Sequence, residues 1–165
     1  MELVILRHGE AGKRLEASNQ DAERQLTVAG KEEVVDVARA MKELGLKFDV
    51  IGSSPLKRAK QTAEIAAKAV GSKKALEVWE ELKPEGSRRE LYNRLSRMRR
   101  DSSVLIVGHD PYLSTLLGDL ITGGREASVA LKKSGFAKLE ILTFSPVPKA
   151  ELRWLVTPRL SRMIS

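Results

Sequence analysis

The chain contains two histidines, His8 and His109, and each follows a short apolar run, residues 3–6 and 104–107. Runs of this kind read as strands buried on both faces of a parallel sheet. In open α/β sheets, sites form outside the carboxyl ends of the strands, so both histidines are expected at one rim. Arg7 precedes His8 directly, and Arg58 stands five residues after Ser53, where the next strand ends. Neutral imidazole is a competent nucleophile that can carry a phosphoryl group. A guanidinium offers a rigid fork of donors to phosphate oxygens. Two arginines and two histidines from three strand ends are the composition of a metal-free phosphoryl-transfer site. His8 is the better nucleophile, because it lies between Arg7 and Gly9, a residue that lets the backbone turn tightly and come close to a ligand. Arg7, Arg58 and His109 would stabilise the equatorial oxygens in the transition state. His109 would do so best when protonated. Arg58 falls in the first turn of a helix, where a cation opposes the helix dipole, so helix stability does not explain it.

The elements that must position these residues can be read from the pattern. Thr27 can cap a helix running to about Leu44, ended by Gly45. Val34, Val37, Ala38, Met41 and Leu44 share one face of it. Residues 48–51 form a second strand. Ser54-Pro55 is expected to start the next helix, with Ser54 as cap and Leu56, Ala59, Ala63, Ala66 and Val70 as its buried stripe. Residues 76–79 suggest a short strand and residues 86–99 a helix. Asp110-Pro111 repeats the cap-and-proline start. Residues 136–142 and 150–156 read as an antiparallel hairpin on the sheet edge. The expected fold is an α/β three-layer sandwich: a mostly parallel central sheet, helices on both faces and a C-terminal hairpin.

Composition narrows the function classes. With 165 residues, one domain over 1–165 is expected. Apolar residues make up 42% and charged residues 31%, which suits a globular protein rather than a disordered one. No apolar run is long enough to span a bilayer, and the N-terminal run stops at Arg7 with no basic segment before it, so it reads as a strand rather than a signal peptide. The absence of cysteine excludes disulfides and thiolate metal sites, and a cytoplasmic location is the simplest reading. The net charge of +7 reads first as a soluble surface rich in Lys, and as an attraction for anionic partners second. The densest basic cluster, Arg94, Arg97, Arg99 and Arg100, contains no aromatic residue. It does not form a stacking platform, so no nucleic-acid or membrane partner is expected.

These blocks also carry a family resemblance. Leu6-Arg7-His8-Gly9-Glu10-Ala11 is similar to the signature of the histidine phosphatase superfamily, which includes the phosphoglycerate mutases. The stretch from Ser53 to Ala63 resembles its second block and Val107-Gly108-His109-Asp110-Pro111 its third. Leu26-Thr27 with Gly30 resembles the start of its first long helix. The size, Glu81-Leu82-Lys83-Pro84-Glu85-Gly86 and the tail from Trp154 to Leu160 resemble the short phosphohistidine phosphatase branch, the SixA type. The resemblance implies that His8 is phosphorylated, that Arg7, Arg58 and His109 bind the phosphoryl group, and that no metal or other cofactor is needed.

The proton donor and the substrate stay open at this stage. Glu81 is the best acid candidate by position, with a solvated loop carboxylate as the competing reading; Glu10 is weaker. Ser53 and Ser54 could touch phosphate. Only a short segment separates Gly71 from Val104, so no large cap over the site is expected. An open site suits a phosphorylated side chain on another protein, such as a phosphotransfer or phosphorelay protein, acted on by a monomer. The alternatives are a phosphatase for a small metabolite ester or nucleotide, and a noncatalytic module that binds phosphorylated ligands.

Overall fold

Residues Glu2–Arg7 form strand β1, in which Leu3, Val4, Ile5 and Leu6 are all fully buried. Alternation along the strand sends Leu3 and Ile5 to one core and Val4 and Leu6 to the other. A strand buried on both faces requires helices above and below it, and the rest of the chain provides them. The computed structural model describes residues 1–125 and 127–164, and all of their side chains except that of Lys74.

After β1 come helix α1 (Ser18–Ala22), helix α2 (Val28–Glu43), strand β2 (Val50–Ser53) and helix α3 (Lys57–Ala69). Strand β3 (Leu76–Val78), helix α4 (Arg88–Ser96), strand β4 (Ser103–Gly108) and helix α5 (Tyr112–Thr122) follow. Strands β5 (Phe136–Thr143) and β6 (Lys149–Val156) and helix α6 (Pro158–Ile164) complete the chain. The sheet has six strands in the order β3-β2-β4-β1-β5-β6. The four strands from β3 to β1 are parallel, and β5 and β6 add an antiparallel hairpin beyond β1. Val37, Met41, Ala59, Ala63 and Ala66 of α2 and α3 pack on Val4, Leu6, Leu105 and Val107. Leu91, Leu95, Leu113, Leu116 and Leu117 of α4 and α5 pack on Leu3, Ile5, Val104 and Ile106. This is the three-layer α/β sandwich expected from the sequence. Among the described residues no helix is long and apolar enough to cross a membrane.

The local signals held at several places. Thr27 caps α2, accepting the Gly30 amide at 2.9 Å, and Gly45 follows the helix at φ 70°. Two short helices escaped the sequence reading. Helix α1 lies in the polar segment read as loop and buries none of its residues, so it has no apolar stripe to betray it. Helix α6 lies in the tail and packs against α2. The start of α3 also differs from expectation. Its N-cap is Leu56 and it makes no side-chain cap bond, so the helix begins later than Ser54-Pro55 implied. The Ser54 hydroxyl instead accepts the Leu56 amide at 3.3 Å, in a turn that precedes the helix.

Candidate active site

Backbone hydrogen bonds to β4 hold the ends of β1 and β2 together. The His8 amide donates to the Gly108 carbonyl at 3.0 Å, and the Ser54 amide to the Val107 carbonyl at 2.9 Å. His8 and His109 thereby face one another with ring centroids 5.0 Å apart. Both are buried, at 7% and 2% exposure, as is Arg58. The structure brings Arg7, His8, Arg58 and His109 to one rim of the sheet, from the three strand ends that the sequence indicated.

One hydrogen bond gives His8 the tautomer that a nucleophile would need. Its Nδ1 lies 2.7 Å from the carbonyl oxygen of Gly9. A carbonyl only accepts, so Nδ1 carries the proton and Nε2 keeps its lone pair. Burial lowers the His8 pKa to about 4 against the pull of the Gly9 carbonyl, and the charges of Arg58 and Arg7 push the same way as burial. The ring is therefore neutral at physiological pH, as a nucleophile must be.

The sequence reading asks for a protonated His109 ring, a form that anionic phosphoryl oxygens beside it would favour. Burial, His8 and Arg58 lower its pKa to about 2, so the protein favours the neutral form. Its tautomer follows from its neighbour. His109 Nε2 lies 2.8 Å from Ser54 Oγ, which already accepts the Leu56 amide. The Ser54 hydroxyl hydrogen is free to go to Nε2, which leaves the ring proton on Nδ1. Nδ1 is buried and has no partner within the protein. Neutral His109 can thus still donate a hydrogen bond.

The arginines are held from outside and keep a donor in reserve. Arg7 Nη1 donates to the Leu131 carbonyl at 2.8 Å and to Asp110 at 3.3 Å. Arg58 Nη1 donates to the Asp21 carbonyl at 2.9 Å, and its Nη2 lies 3.3 Å from the Asp21 carboxylate. Burial alone would raise the Asp21 carboxyl, but the Leu15 amide, Arg24 and Arg58 together hold it below the usual carboxylate range. Arg7 Nε and Arg58 Nε are buried without partners. With His109 Nδ1 they make three buried, unpartnered nitrogens on the residues that share this rim with His8. Such donors are costly unless a ligand takes them. A phosphoryl group in transfer presents three equatorial oxygens.

Other residues have positions that the sequence did not disclose. Asp21, in the segment read as polar loop, orients Arg58. Thr62 accepts the Gly9 amide at 3.1 Å and donates to the Arg58 carbonyl at 2.8 Å, coupling the nucleophile loop to α3. The Ser134 amide donates to the carbonyls of Arg7 and His8 at 3.1 and 3.2 Å. These residue types carry no local signal, because their partners are 50 or more residues away in the chain, apart from the 37 that separate Asp21 from Arg58 and the four between Thr62 and Arg58. Gly9 also has a packing role that the sequence did not disclose. A Cβ there would lie 2.5 Å from Val34 Cγ2, so a glycine at this position lets α2 pack close to the loop. Gly30 completes this contact, since its Cβ would lie 2.1 Å from the Glu10 carbonyl oxygen.

The acid candidates separate clearly. The Glu10 side chain is exposed. Glu81 lies in a 3₁₀ turn (Glu80–Leu82) that the Trp79 amide ties to the Ser53 carbonyl at 2.8 Å. It is buried, not a solvated loop carboxylate, and both of its oxygens accept from Arg94. Arg94 in turn stacks 4.7 Å over the Trp79 ring. Ser53 donates to the Ser54 carbonyl at 2.9 Å. A groove of about 760 Å³ is lined by Asp21, the residue that holds Arg58, and by Arg14, Leu56, Lys83 and Glu85 among others. Helix α4 packs onto the sheet and does not cap the site, as the short segment before β4 implied.

Comparison with known proteins agrees with this geometry. The profile of the Histidine phosphatase superfamily (branch 1) matches residues 3–84. An uncharacterized protein of Picosynechococcus sp. is 36% identical over 141 residues, covering 84% of each chain. The structure of the protein histidine phosphatase SixA complexed with tungstate superposes with a TM-score of 0.84 at 27% identity, covering 96% of this chain and 98% of that one. A mycobacterial glucosyl-3-phosphoglycerate phosphatase shares the fold, with a TM-score of 0.70 at 17% identity over 93% and 97% of the two chains. The chain belongs to the histidine phosphatase superfamily, is of the SixA type, and is a phosphatase that works through a histidine nucleophile.

Proposed function

We propose that this protein hydrolyses phosphohistidine on a partner protein, with His8 as the residue that is phosphorylated. The observation that carries this reading is the set of three unpartnered buried donors, Arg7 Nε, Arg58 Nε and His109 Nδ1, on residues that share a rim with a neutral His8 whose Nε2 is free. In the first step His8 Nε2 attacks phosphorus and the bond from phosphorus to the substrate nitrogen breaks. The departing imidazole takes a proton and leaves neutral. In the second step water attacks the phosphoryl group on His8. The phosphorus–nitrogen bond breaks, inorganic phosphate leaves and Nε2 regains its lone pair. The three donors hold the equatorial oxygens throughout, and each is worth about 2.7–4 kcal/mol of barrier by analogy with other preorganised donors.

The phosphoprotein substrate is supported by the likeness to SixA and by helix α4, whose Leu91 and Leu95 pack into the core. A basic leaving imidazole also lessens the need for a strong enzyme acid. Glu81 remains the candidate donor, but it would have to give up its pair with Arg94 to act. We place this activity in the cytoplasm, in a monomer. The groove by Asp21 favours a second reading, a small phosphate ester whose remainder lies there, since Asp21 holds Arg58 and about 760 Å³ is room enough for part of a metabolite. Labelled phosphohistidine protein, mixed rapidly and quenched without acid, tests the first reading. The label is expected on His8, stable in base and labile in acid. Label on Ser53 or Ser54, or turnover of sugar phosphates far above that of phosphohistidine protein, would overturn it.

A further inference from the structure

We propose that a second groove, of about 600 Å³ and opening beside Arg7, docks the acidic surface surrounding the phosphohistidine of the partner protein. The proposal rests on the phosphoprotein reading above. Besides Arg7, the groove is lined by Lys132, Lys133 and Arg159. All three are exposed, and among the described residues no carboxylate lies within 4.0 Å of them. Its one acid, Glu33, is already answered by Arg162 at 3.5 Å.

Unpaired surface cations occur elsewhere on this basic chain, and position is what distinguishes these. The Ser134 amide binds the carbonyls of Arg7 and His8, so Lys132 and Lys133 precede a residue seated directly on the nucleophile's backbone. The Leu131 carbonyl takes Arg7 Nη1. Val156 pairs with Phe136 at the root of the hairpin, which brings Arg159, three residues on, to the same turn. The cations therefore lie on the Arg7 side of the phosphoryl site, outside the groups that would hold the phosphoryl oxygens. A phosphate alone is served by the inner donors. A protein bearing one also covers the surface next to it, and an acidic surface there meets three cations with no competing partner. On the far side Glu32, Glu33 and Asp36 of α2 line a neighbouring hollow. Lys133 and Arg162 line that hollow too, and Arg162 pairs with Glu33 and Asp36, so its charges are largely balanced and the unpaired cations lie on the Arg7 side. Complementarity of this kind acts mainly on encounter and orientation.

The test compares two substrates in the wild type and in a Lys132→Gln, Lys133→Gln, Arg159→Gln variant. One is a phosphorylated histidine phosphotransfer domain with acidic residues around its phosphohistidine. The other is p-nitrophenyl phosphate. The variant is expected to lose roughly tenfold in kcat/KM on the protein at low salt, mostly through KM. It should keep its activity on the ester, which also reports that it is folded. The loss should shrink in salt of about 0.5 M, where screening reaches only a few ångströms. Unchanged kinetics on the protein, or an equal loss on both substrates, would overturn the docking surface while leaving the phosphoprotein reading in place. A wild-type enzyme that cleaves the ester but not the phosphorylated domain would overturn that reading and this one with it.

Discussion

His109 Nε2 and Ser54 Oγ lie 2.8 Å apart, although 55 residues separate them in the chain. The pair decides which nitrogen of His109 carries the proton, and so whether a donor faces the phosphoryl group. Ser54→Ala removes the acceptor's partner and lets the ring invert. We expect kcat to fall about tenfold, the worth of one well-placed hydrogen bond. Ser54→Thr keeps the hydroxyl and should restore most of the rate. Nitrogen-15 spectra of His109 should show the proton on Nδ1 in the wild type and a mixture of tautomers in Ser54→Ala. An unchanged tautomer with a lowered rate would mean that Ser54 acts some other way.

Asp21 holds Arg58 by both a carbonyl and a carboxylate oxygen. Arg58→Ala should lower kcat by about 10²–10³, as loss of a preorganised donor does. Asp21→Asn leaves the guanidinium in place but loosens it, and a smaller loss, about tenfold, is expected. Equal losses in the two variants would show that Asp21 does more than orient Arg58.

The buried histidines make stability depend on pH. Unfolded, each titrates near 6.5; folded, His8 titrates at about 4 and His109 at about 2. Below pH 6.5 the unfolded chain binds protons that the native protein refuses, so stability falls as pH falls. The effect of His8 is complete near pH 4, and that of His109 continues below it. Urea midpoints measured from pH 7 to 4 should drop steadily. His8→Asn should flatten the slope by up to about 1.4 kcal/mol per pH unit. A slope identical to wild type would mean that His8 is not held neutral.

Glu81 separates structure from catalysis. Glu81→Gln weakens its pair with Arg94, a partner that is 41% exposed, and should cost about 1 kcal/mol of stability. Turnover of phosphohistidine should stay within about threefold, because the leaving imidazole needs little help. A loss of 10² or more, together with loss of the basic limb of the pH profile, would assign Glu81 as the proton donor.

The contact between Gly30 and the Glu10 carbonyl leaves no room for a methyl group. Gly30→Ala should destabilise the protein by about 1–3 kcal/mol, because backbone rather than a flexible side chain must move. Thermal unfolding checks this. The variant should also lose activity, since the displaced segment begins at His8. A stable, fully active Gly30→Ala protein would show that α2 does not brace the nucleophile loop.

The sequence by itself determined the strands that end at His8, Ser53 and His109, the helices packed on them, and the four residues at their common rim. These signals are local: apolar runs, 3.6-residue stripes, a Thr cap and glycine stops all act within a few residues of one another. Only the tertiary structure decided how the four are held. The Asp21 grip on Arg58, the Ser54 bond to His109, the Thr62 bridge and the seat of Ser134 on Arg7 and His8 join segments that the sheet order brings together. Ser54 shows the difference most clearly. Its type and its place before Pro55 suit a helix cap, and no neighbour in the chain argues otherwise. Burial beside His109 presents its hydroxyl with a better partner, and the helix starts later as a result. The pull of the protein on His109 toward its neutral form arises in the same way, because desolvation depends on what packs around the ring and not on what precedes it in the chain.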